Sequence, residues 1–305
     1  MQPIAKLKQD KLKLYAFIIF ICITVVSVQK FYPEDCNNIS NLDTNNKFKI
    51  FSFTIDDTNT IKTAFFAKDP YNDFLKLNKT SKILYASSAS FVSTLDKKNN
   101  IPVGFCAEKG EIINKMPHQD MDGIVVISNN HPKMSSVEII DLDKVNGKCE
   151  TYNCESHFLH NNIRNDPSLA FSFIDAIESQ NISSFQTHLV YTKYKSDNGN
   201  FEKLHNGNND RSRRFLAIGK KDGKLHHIIV DNIEDNYLMA SAKNSLEYLR
   251  QKQYSVDFMV NLDTGSKDII HAYDGENLIN LRPNPLTSSA KIENASSLLV
   301  YYTEI

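Results

Sequence analysis

Apolar and polar positions alternate with the period of a β-strand along much of this chain, and only a few stretches carry the helical period. In "KFKIFSFTI", residues 47–55, Phe48, Ile50 and Ser52 fall on one face and Phe51, Phe53 and Ile55 on the other. "KILYASSASFVS" (82–93) and "PVGFCAEKGEII" (102–113) read as further strands. "FLAIG" and "KLHHIIVD" flank "KKDG", whose Asp222-Gly223 pair marks a hairpin turn. Val256, Phe258, Val260 and Leu262 alternate as a strand that runs into Asp263. "DIIHAY", Asp274-Gly275 and "NLINL" predict another hairpin, and "SSLLVYY" a last strand. Helical spacing is confined to a short segment after Pro70 and to 236–252, where Leu238, Ala242, Leu246 and Leu249 recur on one face. "SDNGNFEKLHNGNNDRSRR" (196–214) is polar throughout and reads as a long loop. The expectation is one α+β domain over 47–305, with a mixed, sheet-rich core and flanking helices.

The N-terminus follows a different pattern. Lys6, Lys8, Lys11 and Lys13 precede the apolar run "LYAFIIFICITVVSV", residues 14–28. A basic end followed by an apolar stretch of this size reads as a signal peptide or a short signal anchor. Residues 1–13 are then the cytoplasmic end, 14–28 the contact with the membrane, and 29–46 a polar tether. The domain lies outside the cytoplasm, membrane-anchored or secreted. The four cysteines beyond the anchor, Cys36, Cys106, Cys149 and Cys154, would meet an oxidising compartment and allow three disulfide pairings. Asn38, Asn78, Asn181 and Asn294 each open an N-x-S/T triplet. The formal net charge of -1 gives no electrostatic case for nucleic acid, whose binding needs a clustered basic surface, so none is expected as a partner.

Candidate chemistry narrows the picture. "DTGS" at 263–266 spells the active-site tetrapeptide of a pepsin-like protease. Such a protease needs two carboxylates about 3 Å apart sharing a proton, and hence two such loops or a dimer. The other Asp-Gly pairs, at 122, 222 and 274, lack the intervening residue, so the tetrapeptide is a coincidence. "CETYNCESHFLH" gathers Cys149, Cys154, His157 and His160, all possible zinc ligands. Their spacing is unlike the common zinc fingers, and a disulfide suits the compartment better. His226 and His227 are adjacent in a strand and point to opposite faces, which argues against joint metal binding.

An ordered series of segments carries a resemblance: "ASSASF" (86–91), "PVGF" (102–105), "SFQTHLV" (184–190), "RRFLAIG" (213–219), "VNLDTGSKD" (260–268) and "INLRP" (279–283). In order and spacing, over roughly 80–303, the chain resembles the phosphodiester glycosidase family. The resemblance implies hydrolysis of a sugar 1-phosphodiester in a glycan. It implies Asp263 as the catalytic carboxylate, and Arg214, Gln186, His188, Ser87, Gly265 and Ser266 as substrate-binding residues. It calls for no cofactor and leaves a divalent metal open. Cleaving such a diester requires a cation or amide donors at the phosphate and a carboxylate near the anomeric carbon. The chain departs from the pattern in several places. Ser87 stands for the family's Asn and Ala89 for a Gly. His188-Leu189 replaces Gly-Pro. Phe215 stands where the family has Arg, and Arg214, one residue earlier, would face the other side of the strand. Thr264 replaces a Gly, and Lys267 stands where Ser is usual. These departures imply a second reading, a catalytically degenerate member that binds glycan or protein.

Overall fold

The computed structural model describes residues 43–44, 47–56, 60–92, 101–129, 136–143, 163–204, 211–264, 268–274, 277–279 and 291–305. The chain divides into Met1–Asn38 and Ile39–Ile305; the first unit, with the predicted anchor at 14–28, lies outside the described residues. So do Cys36, Cys149, Cys154, His157, His160, Gly265 and Ser266. Among the described residues no helix is long and apolar enough to cross a membrane.

The described strands form three sheets. The first orders β1 (Asp43–Thr44), β2 (Phe48–Ile55), β12 (Lys224–Asn236), β11 (Arg211–Lys221), β13 (Ser255–Leu262) and β10 (Leu189–Thr192). The second orders β15 (Asn277–Ile279), β14 (Ile270–Asp274), β4 (Ser81–Ser87), β16 (Leu298–Glu304) and β3 (Ile61–Phe66). The third orders β6 (Glu111–Asn114), β5 (Cys106–Glu108), β9 (Ser183–Thr187), β7 (Gly123–Ser128) and β8 (Ser136–Asp141). Every pairing among them is antiparallel. This corrects the expected α+β class with one mixed core: the molecule is built from three antiparallel sheets. Strand–helix–strand, as over 224–262, usually joins parallel neighbours. Here β11 sits between β12 and β13 and is antiparallel to both, so the helix spans a gap of one strand.

The alternation that predicted strands also explains why the sheets pack. Each is apolar on both faces. One face of all three meets in a shared core that includes Phe51, Phe53, Phe65, Tyr85, Phe185, Leu216, Val260 and Tyr301. Helices cover the other faces: α1 (Pro70–Thr80) brings Phe74 to the second sheet, α2 (Pro167–Ser179) brings Phe173 and Ile177 to the third, and α4 (Leu238–Gln251) brings Ala242, Leu246 and Leu249 to the first. α2 was not predicted. Its start is capped by the Asp166 side chain, which accepts from Ser168 N and Leu169 N, ahead of Pro167 in the first turn. The segment read as one loop at 196–214 holds α3 (Asp197–Phe201) and the start of β11. Cys106 is a free, buried thiol; Cys36, Cys149 and Cys154 lie outside the described residues. Burial raises its pKa and keeps the thiol protonated.

Candidate functional site

β13 lies between β11 and β10 and points Asp263 out of the end of the first sheet. The connection after β4 crosses this end. Asp263 N donates to Ala89 O at 2.9 Å, and Ser88 Oγ donates to Asp263 O at 2.7 Å. Thr264 Oγ1 donates to Ser212 O at 2.9 Å, tying the same end to β11. Asp263 is buried, 7% exposed. Ala89 and Thr264, which replace family glycines, are both buried here.

Arg214 belongs to this neighbourhood but faces inward. Alternation along β11 puts Phe215 under α4 and Leu216 in the shared core, and Arg214 lies on the same side as Leu216. It is wholly buried. Nη1 donates to Ile269 O at 2.8 Å and Nη2 pairs with Asp268 at 2.8 Å and with Asp231 at 3.2 Å. Nη1 also approaches Ser88 Oγ at 3.4 Å. Burial opposes the guanidinium charge, but Asp231 and Asp268 outweigh it and raise the pKa further. The expected phosphate-holding role does not fit a cation enclosed and neutralised in this way. Ser87 is also wholly buried, its backbone between Ile270 and Leu299 and its hydroxyl donating to Ser88 O at 3.1 Å.

Gln186 is engaged elsewhere. Its Oε1 accepts from Phe105 N at 3.0 Å and His118 N at 2.7 Å, while Nε2 donates to His118 O at 2.8 Å and Met121 O at 2.6 Å. That uses both ends of the amide to hold the 118–121 segment against the third sheet. Gly104 is needed for the fit: it has φ +80, and a Cβ there would lie 2.6 Å from Gln186 Oε1.

His188 is the single residue between β9 of the third sheet and β10 of the first. Its carbonyl accepts from Asn261 N at 2.9 Å, two residues before Asp263. Its ring meets Phe91 edge-on at 5.7 Å between centroids. Half-buried, it has Asp122, Asp120 and His118 around it; burial pulls its pKa below the ordinary value, against the pull of the Asp122 and Asp120 carboxylates. Asp122 is held by Leu189 N at 2.8 Å and by an ion pair to Lys203. The site therefore brings His188 and Asp263 to one end of β13, both fastened to residues 88–91, and leaves Arg214, Ser87 and Gln186 as structural supports. Sequence reading missed Asp122 and Lys203, whose only local signal is an Asp-Gly pair and a lysine in a polar loop. Among the described residues no group of three His, Cys, Asp or Glu side chains is disposed to hold a metal ion.

No family model matches the chain, and no curated protein matches its sequence. Among solved structures it is similar to the catalytic domain of zebrafish N-acetylglucosamine-1-phosphodiester alpha-N-acetylglucosaminidase, auto-inhibited by its pro-peptide. That match has a TM-score of 0.42 and 14% identity over 83% of this chain and 82% of the other. A hypothetical protein from Synechocystis is similar at a TM-score of 0.44 and 10% identity, over 86% of this chain and 61% of the other. Neither likeness attaches a role to any residue of this chain.

Proposed function

We propose that this chain is an extracytoplasmic, phosphodiester glycosidase-like protein that hydrolyses a sugar 1-phosphodiester in a glycan at the Asp263 end of β13, with residues 14–28 as its membrane contact. The observation that carries the proposal is the placement of Asp263. It ends a central strand, buried, with bonds of its backbone to the 88–89 segment fixing its position. Of the ordered segments, 86–91 meets Asp263 directly through Ser88 and Ala89. A carboxylate held there suits charge developing at an anomeric carbon, since its position is set before substrate arrives.

A second reading, a degenerate member that binds glycan or protein without turnover, is favoured by the enclosure of Arg214 between Asp231 and Asp268. It is also favoured by the added side chains of Ala89 and Thr264, which narrow the approach that glycines would leave to a phosphate.

The test is hydrolysis of UDP-linked N-acetylglucosamine by the full chain beside Asp263→Asn. The expected result is turnover that falls by about a hundredfold or more in the variant. Turnover equal in both would remove Asp263 from the mechanism. No turnover in folded wild-type protein, with retention on a glycan array, would establish the second reading instead.

A further inference from the structure

We infer that the sugar 1-phosphodiester cleaved at this site is carried on an apolar alcohol, the lipid end of a membrane-borne glycan, and that a surface patch of Ile101, Met116, Phe91 and Val92 receives the alcohol's chain. The inference rests on the reading of the site as a sugar phosphodiesterase and names the group on the far side of the phosphate. The patch is assembled by hydrogen bonds between three segments. Val103 N donates to Phe91 O at 2.8 Å, and Val92 forms an antiparallel bridge with Pro102. The Asn114 side chain joins this pair to the third segment: Nδ2 donates to Pro102 O at 2.9 Å and Oδ1 accepts from Met116 N at 2.9 Å. One side chain thus gathers Ile101 and Met116 beside Pro102, and both stand in water, 41% and 66% exposed. Phe91, Val92 and Val103 are half-buried next to them. Single apolar residues on a surface need no ligand, but a group collected on bonded segments marks a contact for something apolar.

Two observations point to a lipid chain as the occupant. The first is position. Ala89 O accepts from Asp263 N, and Val92 is three residues further on, so the patch begins within about 10 Å of the strand end that bears Asp263. The second is the length of chain before the domain. In the proposed reading residues 14–28 contact the membrane, and only 29–42 separate them from β1. Fully extended, a segment of that length reaches about 50 Å at most, so the domain meets its substrate near the lipid surface. In the reaction, the oxygen of water attacks the anomeric carbon. The bond from that carbon to the phosphate oxygen breaks, its electron pair stays on the phosphate, and one proton of the water leaves to solvent. The products are the free sugar and the phosphomonoester of the apolar alcohol. The patch acts on binding of that alcohol, through removal of its chain from water.

The experiment compares kcat/KM for two N-acetylglucosamine 1-phosphodiesters, one of farnesol and one of methanol, with the full chain in detergent micelles. Wild type is run beside the double variant Ile101→Ser, Met116→Ser, whose exposed positions leave its melting temperature like that of wild type. The expected result is a preference for the farnesyl ester of about tenfold or more in wild type, falling to about one in the variant. Equal turnover of the two esters by wild type overturns this inference and leaves the reading of the site intact. A preference that survives in the variant overturns the assignment of the patch. A wild-type dimer that the variant turns into a monomer overturns it in favour of an interface between copies of this chain. No turnover of either ester by folded wild type overturns the inference together with the reading it rests on.

Discussion

Arg214 has its whole guanidinium out of water, held by two carboxylates and a backbone carbonyl. Enclosed charges of this kind contribute little net stability as a set, yet removing one member leaves the others in low dielectric. Arg214→Ala is therefore expected to lower unfolding free energy by about 3–5 kcal/mol, far above the effect of an exposed ion pair. Urea denaturation measures it, and a loss below about 1 kcal/mol would mean that water reaches the Asp231 and Asp268 carboxylates. Lysine would not be a conservative replacement, because it cannot span three acceptors from one planar fork. The residue that looked most like a phosphate ligand in the sequence is thus part of the frame. A strand's alternation indicates that Arg214 and Phe215 face opposite ways, but not which side is the core.

At the scale of elements, the tightest constraint is where β11 meets β13. The register shifts between Ile218 and Gly219, and a Cβ on Gly219 would lie 2.5 Å from Ser255 O and 3.0 Å from Val256 Cα. Both contacts are backbone, so neither can swing aside. Gly219→Ala is expected to cost about 1–3 kcal/mol by forcing the two strands apart, read as a drop in Tm. An unchanged Tm would show that the strands part freely there. Elements of this kind were largely legible in the sequence. The period-two segments at 47–55 and 256–262 became β2 and β13, the Asp222-Gly223 turn joined β11 to β12, and the 3.6-residue stripe of Leu238, Ala242, Leu246 and Leu249 became α4. Partners were not legible. Apolar residues on both faces mark a buried strand without naming its neighbours, so division into three sheets was hidden, as was the insertion of β11 between the strands that α4 joins. Of the site, Asp263 and His188 were legible as positions. The commitments of Gln186 and Arg214 were not, because their partners lie 65 to 81 and 17 to 55 residues away.

Over the whole molecule, burial lowers the pKa of His188, His226 and His227, the last down to about 3. These rings stay neutral in the fold, while an unfolded histidine takes up a proton near pH 6.5. Below that pH the unfolded chain binds more protons, so stability is full above it and declines as pH falls toward the folded-state values. For His227, which is fully buried against Tyr301, the limiting slope is about 1.4 kcal/mol per pH unit. Urea denaturation from pH 7.5 to 5 should show the decline, and His227→Phe should make it shallower; equal slopes would mean that His227 is not the titrating group. The position of β16 also bears on how the protein is made. It lies between β3 and β4, so those two strands have no direct pairing with each other. Leu298 follows Ser87 by 211 residues, which at about 5–20 residues per second is roughly ten to forty seconds of translation. Throughout that interval two apolar strands of the nascent chain wait without their shared partner, so shielding of residues 61–87 is expected to raise the yield of folded protein.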